Sequence, residues 1–291
     1  MPCHLLSSWR HRQKCAPLHL EEPIVPSNAR PERVRLACAD TFAGRVGSLL
    51  HVDGTRTFIG VYPQGEEVDG VTGWQTGHRG LVFDEGAFFS GIVDHLRALG
   101  STGRLYAWGF SNGAALAYKL AVNGGLGFRG IAASVTALTA SPETYGDGIL
   151  AYNFPTMESA TKPIAVLSIM GSADRTIPLR GGAFGGSDAV LADAKDSILL
   201  WSEINQCAGH VTAAIDATYA VPQEEDASTT AARTIFGGCV LPTHFIELSC
   251  VGHGSARSID GEDSMSYAVN FLLGVDAACD ASGGSCDELP L

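Results

Sequence analysis

One stretch constrains this chain more than any other: Arg104-Leu-Tyr-Ala-Trp-Gly-Phe-Ser111-Asn-Gly-Ala-Ala-Leu-Ala-Tyr-Lys-Leu-Ala-Val122. It opens on a short apolar run rich in aromatic residues, the pattern of a buried strand. From Ala114 strong helix formers take over. Between the two lies Gly109-Phe110-Ser111-Asn112-Gly113, an order that fits a serine held on a strained strand-to-helix turn. This reading requires glycine on both flanks, because neighbouring backbone comes too close for a Cβ at Gly109 and Gly113. The helix that follows aims partial positive charge and N–H groups at the place where an oxyanion would develop. By itself the pattern is weak. In a chain with 35 glycines among 291 residues, it arises by chance about a third of the time. Only the flanking strand and helix give it weight.

The rest of the chain repeats the same alternation. Thr57-Phe-Ile-Gly-Val-Tyr62 reads as a strand ending in a turn at Pro63-Gln-Gly65. A helix is expected from about Asp84, with Phe88, Phe89, Ile92, Val93, Leu96 and Leu99 on one stripe. After the Ser111 turn, Gly130-Ile-Ala-Ala-Ser-Val135 is a strand, and Thr139 to Lys162 a loop-like insertion carrying Tyr145, Tyr152 and Phe154. Ile164-Ala-Val-Leu-Ser-Ile-Met170 is the clearest buried strand and runs into Gly171-Ser-Ala-Asp174. A helix over about Ser187 to Asn205, a strand His244 to Val251 ending at Gly252-His253-Gly254, and a last helix from about Ser264 to Leu273 complete the pattern. Strands alternating with helices predict an α/β fold with a mostly parallel sheet and helices on both faces. The expected organisation is an irregular segment over 1–50, a folded domain over 51–275 and a tail over 276–291, since four prolines interrupt any periodicity between Pro17 and Pro31.

Ligands in such folds sit at the carboxyl ends of strands. Ser111, Asp174 and His253 each stand just past one. A serine hydroxyl attacks a carbonyl only when an imidazole accepts its proton, and the imidazole needs a carboxylate to hold its tautomer. Asp147 and Asp188 are fallback acids, but neither directly follows a strong strand. Of the nine histidines, His244 opens a strand and His210 lies in a polar stretch, whereas His253 sits between glycines after one. A lone aspartate in a loop is most often a cap or turn former, and a lone histidine most often structural. The three in order favour nucleophilic catalysis.

Charge and cysteine usage bound the partners. A net charge of −12 argues against nucleic acid or an anionic membrane as partner. No apolar run is long enough to span a bilayer, no signal peptide is readable in the first 26 residues, and there is no Asn-x-Ser/Thr acceptor. The eight cysteines (Cys3, Cys15, Cys38, Cys207, Cys239, Cys250, Cys279, Cys286) contain no Cys-x-x-Cys pair, so no zinc spacing is present and no metal or cofactor is expected. Disulfides in an oxidising compartment fit that number better than scattered buried thiols, which stay the alternative.

From Thr57 to about Leu273 the chain resembles the polyhydroxybutyrate depolymerase/feruloyl esterase group (esterase family one) of the α/β hydrolases. The similar pieces are Val61-Tyr-Pro-Gln-Gly65, Gly73-Trp-Gln75, Gly109-Phe-Ser-Asn-Gly113 with Ala117-Tyr118, and Met170-Gly-Ser-Ala-Asp174 followed by Ile177-Pro178. Trp201, Asn205, Cys207, Cys239 and Gly252-His253 continue the match in order. The resemblance implies an α/β-hydrolase fold with Ser111 as nucleophile, Asp174 as acid and His253 as base. It also implies a Cys207–Cys239 disulfide and a secreted enzyme. The substrate would be an ester, either a polyester or an acylated polysaccharide. Trp74 lies in a polar loop on the presumed rim of the site and is expected to bind substrate; core packing is the expectation for Trp108.

The chain departs from that group in one place. Its members carry a His-Gly-rich segment some 40 residues before the Tyr-Pro-x-Gly turn, which supplies one of two oxyanion donors; the other is the N–H after the serine, here Asn112. Nothing of that kind stands between Met1 and Asp53. Either another N–H substitutes, or residues 1–50 are a divergent or faulty N-terminus, which is the reading favoured here. The rival is an impaired relative that binds a ligand or partner without turnover.

Overall fold

The structure, a computed structural model, describes residues 60–63, 65–68, 71–74, 85–98, 104–122, 126–140, 160, 162–183, 190–219 and 227–281. The chain divides into two compact units, Met1–Gly73 and Trp74–Leu291. In the first, β1 (Glu66–Val68) and β2 (Val71–Gly73) pair as a short antiparallel ribbon. Of the strand expected over Thr57–Tyr62, residues 57–59 lie outside the described residues, and Gly60 to Pro63 have no regular structure.

The second unit is built on an eight-stranded sheet. Its strands are β3 (Leu105–Phe110), β4 (Phe128–Ser134), β5 (Ala165–Gly171), β8 (Gly209–Tyr219), β9 (Ala227–Gly237), β10 (Thr243–Leu248), β11 (Ala256–Ile259) and β12 (Glu262–Asp263), in the order β12-β11-β8-β9-β10-β5-β4-β3. β3, β4, β5 and β10 are parallel. From β9 outward every pairing is antiparallel. The fold is therefore mixed α/β, with the expected parallel order confined to one end. The cause is a long hairpin that the sequence reading left unassigned, in which β8 and β9 pair across eleven registers from Gly209↔Gly237 to Tyr219↔Ala227. Two strands joined by so short a connection have to run antiparallel.

Helices cover both faces of the sheet, and the two-residue period of the strands shows how. Ile131 and Ala133, Val166 and Met170, and Phe245 point to the side of α2 (Asn112–Val122) and α3 (Ala194–Ile204), where they meet Ala114, Ala117, Tyr118, Ile198 and Trp201. Ala132, Leu167, Ile169, Ile246 and Leu248 point the other way, against Ala268 and Leu272 of α4 (Ser264–Ala281). With both faces covered, all seven residues of β5 are buried, which is why that strand reads as an uninterrupted apolar run. α1 (Glu85–Ala98) buries Phe89 and Val93 but leaves Phe88 exposed. It is tied to α2 by a buried Lys119 Nζ–Glu85 Oε2 ion pair of 2.7 Å.

Two helix boundaries differ from expectation. α3 starts at Ala194, not near Ser187, because Asp193 caps it by accepting from Lys195 N at 2.8 Å. Just before that cap, Val190–Leu191 (β7) is extended and paired with Gly182–Ala183 (β6). α4 runs on from Leu273 to Ala281.

Asn205 joins the lower ends of two central strands. Its Oδ1 accepts from Ile164 N at 3.1 Å, while its Nδ2 donates to Ile164 O and to Thr243 Oγ1, each at 2.8 Å. The residue is fully buried, so no water can replace it. Asn205→Leu strands several buried polar groups at about 1–3 kcal/mol each. It is expected to lower the melting temperature by about 10 °C, measurable by thermal circular dichroism.

Candidate active site

The serine turn forms where the sequence places it. Ser111 follows β3 directly and adopts a left-handed φ of 53°, a conformation that costs a non-glycine residue about 1–2 kcal/mol. Backbone bonds hold it there. Its N–H donates to Ser134 O at 2.9 Å, and its carbonyl accepts from Ala114 N and Ala115 N, both at 3.0 Å, which starts α2. A Cβ on Gly109 would lie 2.2 Å from Gly113 O and 2.5 Å from Ala114 N, so the first flanking glycine is obligatory. The second is not. A Cβ on Gly113 would meet nothing within 4 Å, which corrects the expectation that both flanks are crowded. The crowded atoms are the backbone of the helix's first turn, and they press on the residue two before the serine rather than two after.

Three side chains then converge. Ser111 Oγ stands 3.0 Å from His253 Nε2, and His253 Nδ1 stands 2.8 Å from Asp174 Oδ2. The second oxygen of that carboxylate, Oδ1, accepts from Thr176 N at 2.8 Å and Ile177 N at 2.9 Å. The Asp174 side chain is fully buried, whereas that of His253 is 25% exposed. The carboxylate is thus fixed by backbone on one side and fixes the imidazole on the other. The imidazole stays reachable from solvent.

Residues far apart in sequence meet here because two loops are zipped together. Ser172 N donates to Leu248 O at 2.9 Å and Ala173 N to Val251 O at 3.0 Å, while Ser172 Oγ accepts from Cys250 N at 2.9 Å. At Gly171 the backbones almost touch: a Cβ there would be 2.4 Å from Val251 O. Nothing local in the sequence marks this role for Ser172, and Gly171 shows only as a glycine at the end of a buried strand.

The other residues singled out fall as follows. Trp74 is half-buried, with ring centroids 5.6 Å from Phe89 and 6.3 Å from Phe88. Its backbone is gripped by Asn112, whose Oδ1 accepts from Trp74 N at 2.7 Å and whose Nδ2 donates to Trp74 O at 3.1 Å. Asn112 is also the first residue of α2, so its N–H lies at the positive end of the helix, next to Ser111. Trp108, expected in the core, is 36% exposed instead. Phe110, 37% exposed, lays its ring 5.6 Å from that of His253. His244 stands against Phe271 and has its pKa lowered to about 4 by burial and, secondarily, by Arg233; His210 stands against Phe236. Asp147, Asp188, Tyr145, Tyr152 and Phe154 lie outside the described residues, as do all residues from Met1 to Asp53.

Cys207 and Cys239 form a disulfide that closes the base of the β8–β9 hairpin. Cys250 is disulfide-bonded as well. Among the described residues there is no free cysteine, no cluster of three or more potential metal ligands, and no helix long and apolar enough to cross a membrane. No family model matches the chain, and no curated protein matches it significantly.

Proposed function

We propose that this protein is a serine carboxylic ester hydrolase of the α/β-hydrolase type, similar to polyhydroxybutyrate depolymerases and feruloyl or acetylxylan esterases. One observation carries the reading: the hydrogen-bonded line from Ser111 Oγ through His253 to a fully buried Asp174. The positions of the three past β3, β10 and β5 of the parallel part of the sheet support the hydrolase fold.

The chemistry follows from the geometry. His253 Nε2 takes the proton of Ser111 Oγ as the oxygen bonds to the ester carbonyl carbon, and Asp174 stabilises the imidazolium that forms. The carbonyl oxygen becomes an oxyanion beside the Asn112 N–H. Collapse of the intermediate breaks the ester C–O bond, and His253 returns its proton to the departing alcohol. Water then attacks the acyl-enzyme by the same steps in reverse and releases the carboxylic acid. No cofactor enters this sequence. Two disulfide-bonded sites and the acidic balance suit a secreted enzyme acting on a neutral polyester or an acylated polysaccharide.

The test is covalent. A fluorophosphonate probe is expected to add to Ser111, found by mass spectrometry of the peptide, with p-nitrophenyl acetate or butyrate hydrolysed by the unlabelled protein. A protein that neither labels nor hydrolyses would be the non-catalytic relative instead.

A further inference from the structure

Asn112 uses both ends of its side-chain amide on one residue, taking the N–H of Trp74 and giving to its C=O. Only a planar amide does this, since a carboxylate has no donor and a hydroxyl cannot span both groups. Two consequences follow. The Trp74 N–H points at Asn112 Oδ1, so it is not the second oxyanion donor. And the backbone of Trp74 is fixed to the residue next to the nucleophile, while its indole packs against Phe89 and the exposed Phe88.

We propose that Asn112 is a positioning residue for acyl-chain selectivity: its side chain holds the Trp74 aromatic wall beside the site, and that wall takes an apolar acyl group of several carbons. The inference rests on the esterase reading above. In that chemistry the acyl group stays on Ser111 while its carbonyl oxygen stays by the Asn112 N–H. On this proposal the Trp74 ring, whose backbone Asn112 anchors, flanks the acyl chain in both half-reactions. Each buried methylene is worth about 0.8 kcal/mol, so a wall touching two or three of them changes selectivity by roughly ten- to fifty-fold.

The backbone N–H of residue 112 survives any substitution, so side-chain variants separate anchoring from oxyanion binding. kcat and KM would be measured for p-nitrophenyl acetate and hexanoate with wild type, Asn112→Ala, Trp74→Ala and the double variant. Asn112→Asp, which matches the native size, loses the donor and adds a negative charge that slows both esters alike, serves through the ratio if the alanine variant does not fold. The hexanoate-to-acetate ratio of kcat/KM is expected to fall about tenfold in each single variant, mainly through a raised KM for hexanoate. The double variant should fall no further, because both changes remove the same wall. An unchanged ratio in Asn112→Ala and Asn112→Asp, or additive losses in the double variant, would overturn the inference while leaving the esterase reading standing. A wild type that hydrolyses neither ester overturns both.

Discussion

Ser111→Ala is expected to lower kcat/KM for p-nitrophenyl butyrate by at least about 10⁴-fold, to the level left by binding and the helix N-terminus alone. Asp174→Asn should come close to the same loss. Asp174 Oδ1 is held by two backbone N–H groups, so an asparagine there keeps its carbonyl oxygen towards Thr176 and Ile177 and turns its NH₂ towards His253. His253 Nδ1 then has to accept rather than donate. Nε2 becomes the protonated nitrogen, unable to take the proton of Ser111; a tautomer reversed in this way costs serine hydrolases about 10⁴-fold. The two losses should not add in the double variant, because one broken member already disables the relay. Circular dichroism with native melting would show that the fold survives. Wild-type rates from Ser111→Ala would remove the esterase reading altogether.

The parts of this site that were legible in the sequence are those with a local signature. Ser111 declares itself through a strand, two glycines and a run of helix formers. Asp174 and His253 each follow a strand whose apolar run is long enough to recognise. The parallel core could be read for the same reason, since burial on both faces leaves continuous apolar stretches such as Ile164 to Met170. The antiparallel end could not. Gly209 to Ala214 is exposed, so half of β8 shows no apolar alternation, and its buried pair Ile215 and Ala217 is too short a signal to mark a strand. The start of α3 is not legible either, because the capping residue Asp193 follows an extended pair that itself is only two residues long.

Apart from the three residues in order and the cysteine pair, contacts between distant segments left no local trace. Nothing local tells that Ser172 will bond Cys250, or that Gly171 exists to let two backbones cross. The side chain of Asn112 is the plainest instance. In sequence it is the variable fourth residue of a five-residue motif, valued only for its N–H. In space its amide is a bracket for Trp74, 38 positions earlier. A turn can be read from its own residues, but the partner it grips cannot.

The two glycines of the motif offer the sharpest contrast between pattern and structure. Gly109→Ala is expected to abolish activity and to lower the melting temperature by roughly 10 °C or more, the order expected of severe steric strain. Its methyl would sit 2.2 Å from Gly113 O and 2.3 Å from Gly113 C, and those are backbone atoms that no rotamer change can move. To relieve the clash, the first turn of α2 has to swing away from β3. That motion breaks the Ala114 and Ala115 bonds to Ser111 O and lets Ser111 leave its left-handed φ, so Oγ no longer faces His253. Gly113→Ala meets nothing within 4 Å and has no left-handed φ to lose. Alanine is preferred over glycine in a helix by about 1 kcal/mol at interior positions and by less in the first turn, where Gly113 stands, so this variant should melt at the wild-type temperature or slightly above. Its ester hydrolysis should stay within a few-fold of wild type. Equal damage from both substitutions would mean that the crowding at the elbow is not where the Gly109 contacts put it.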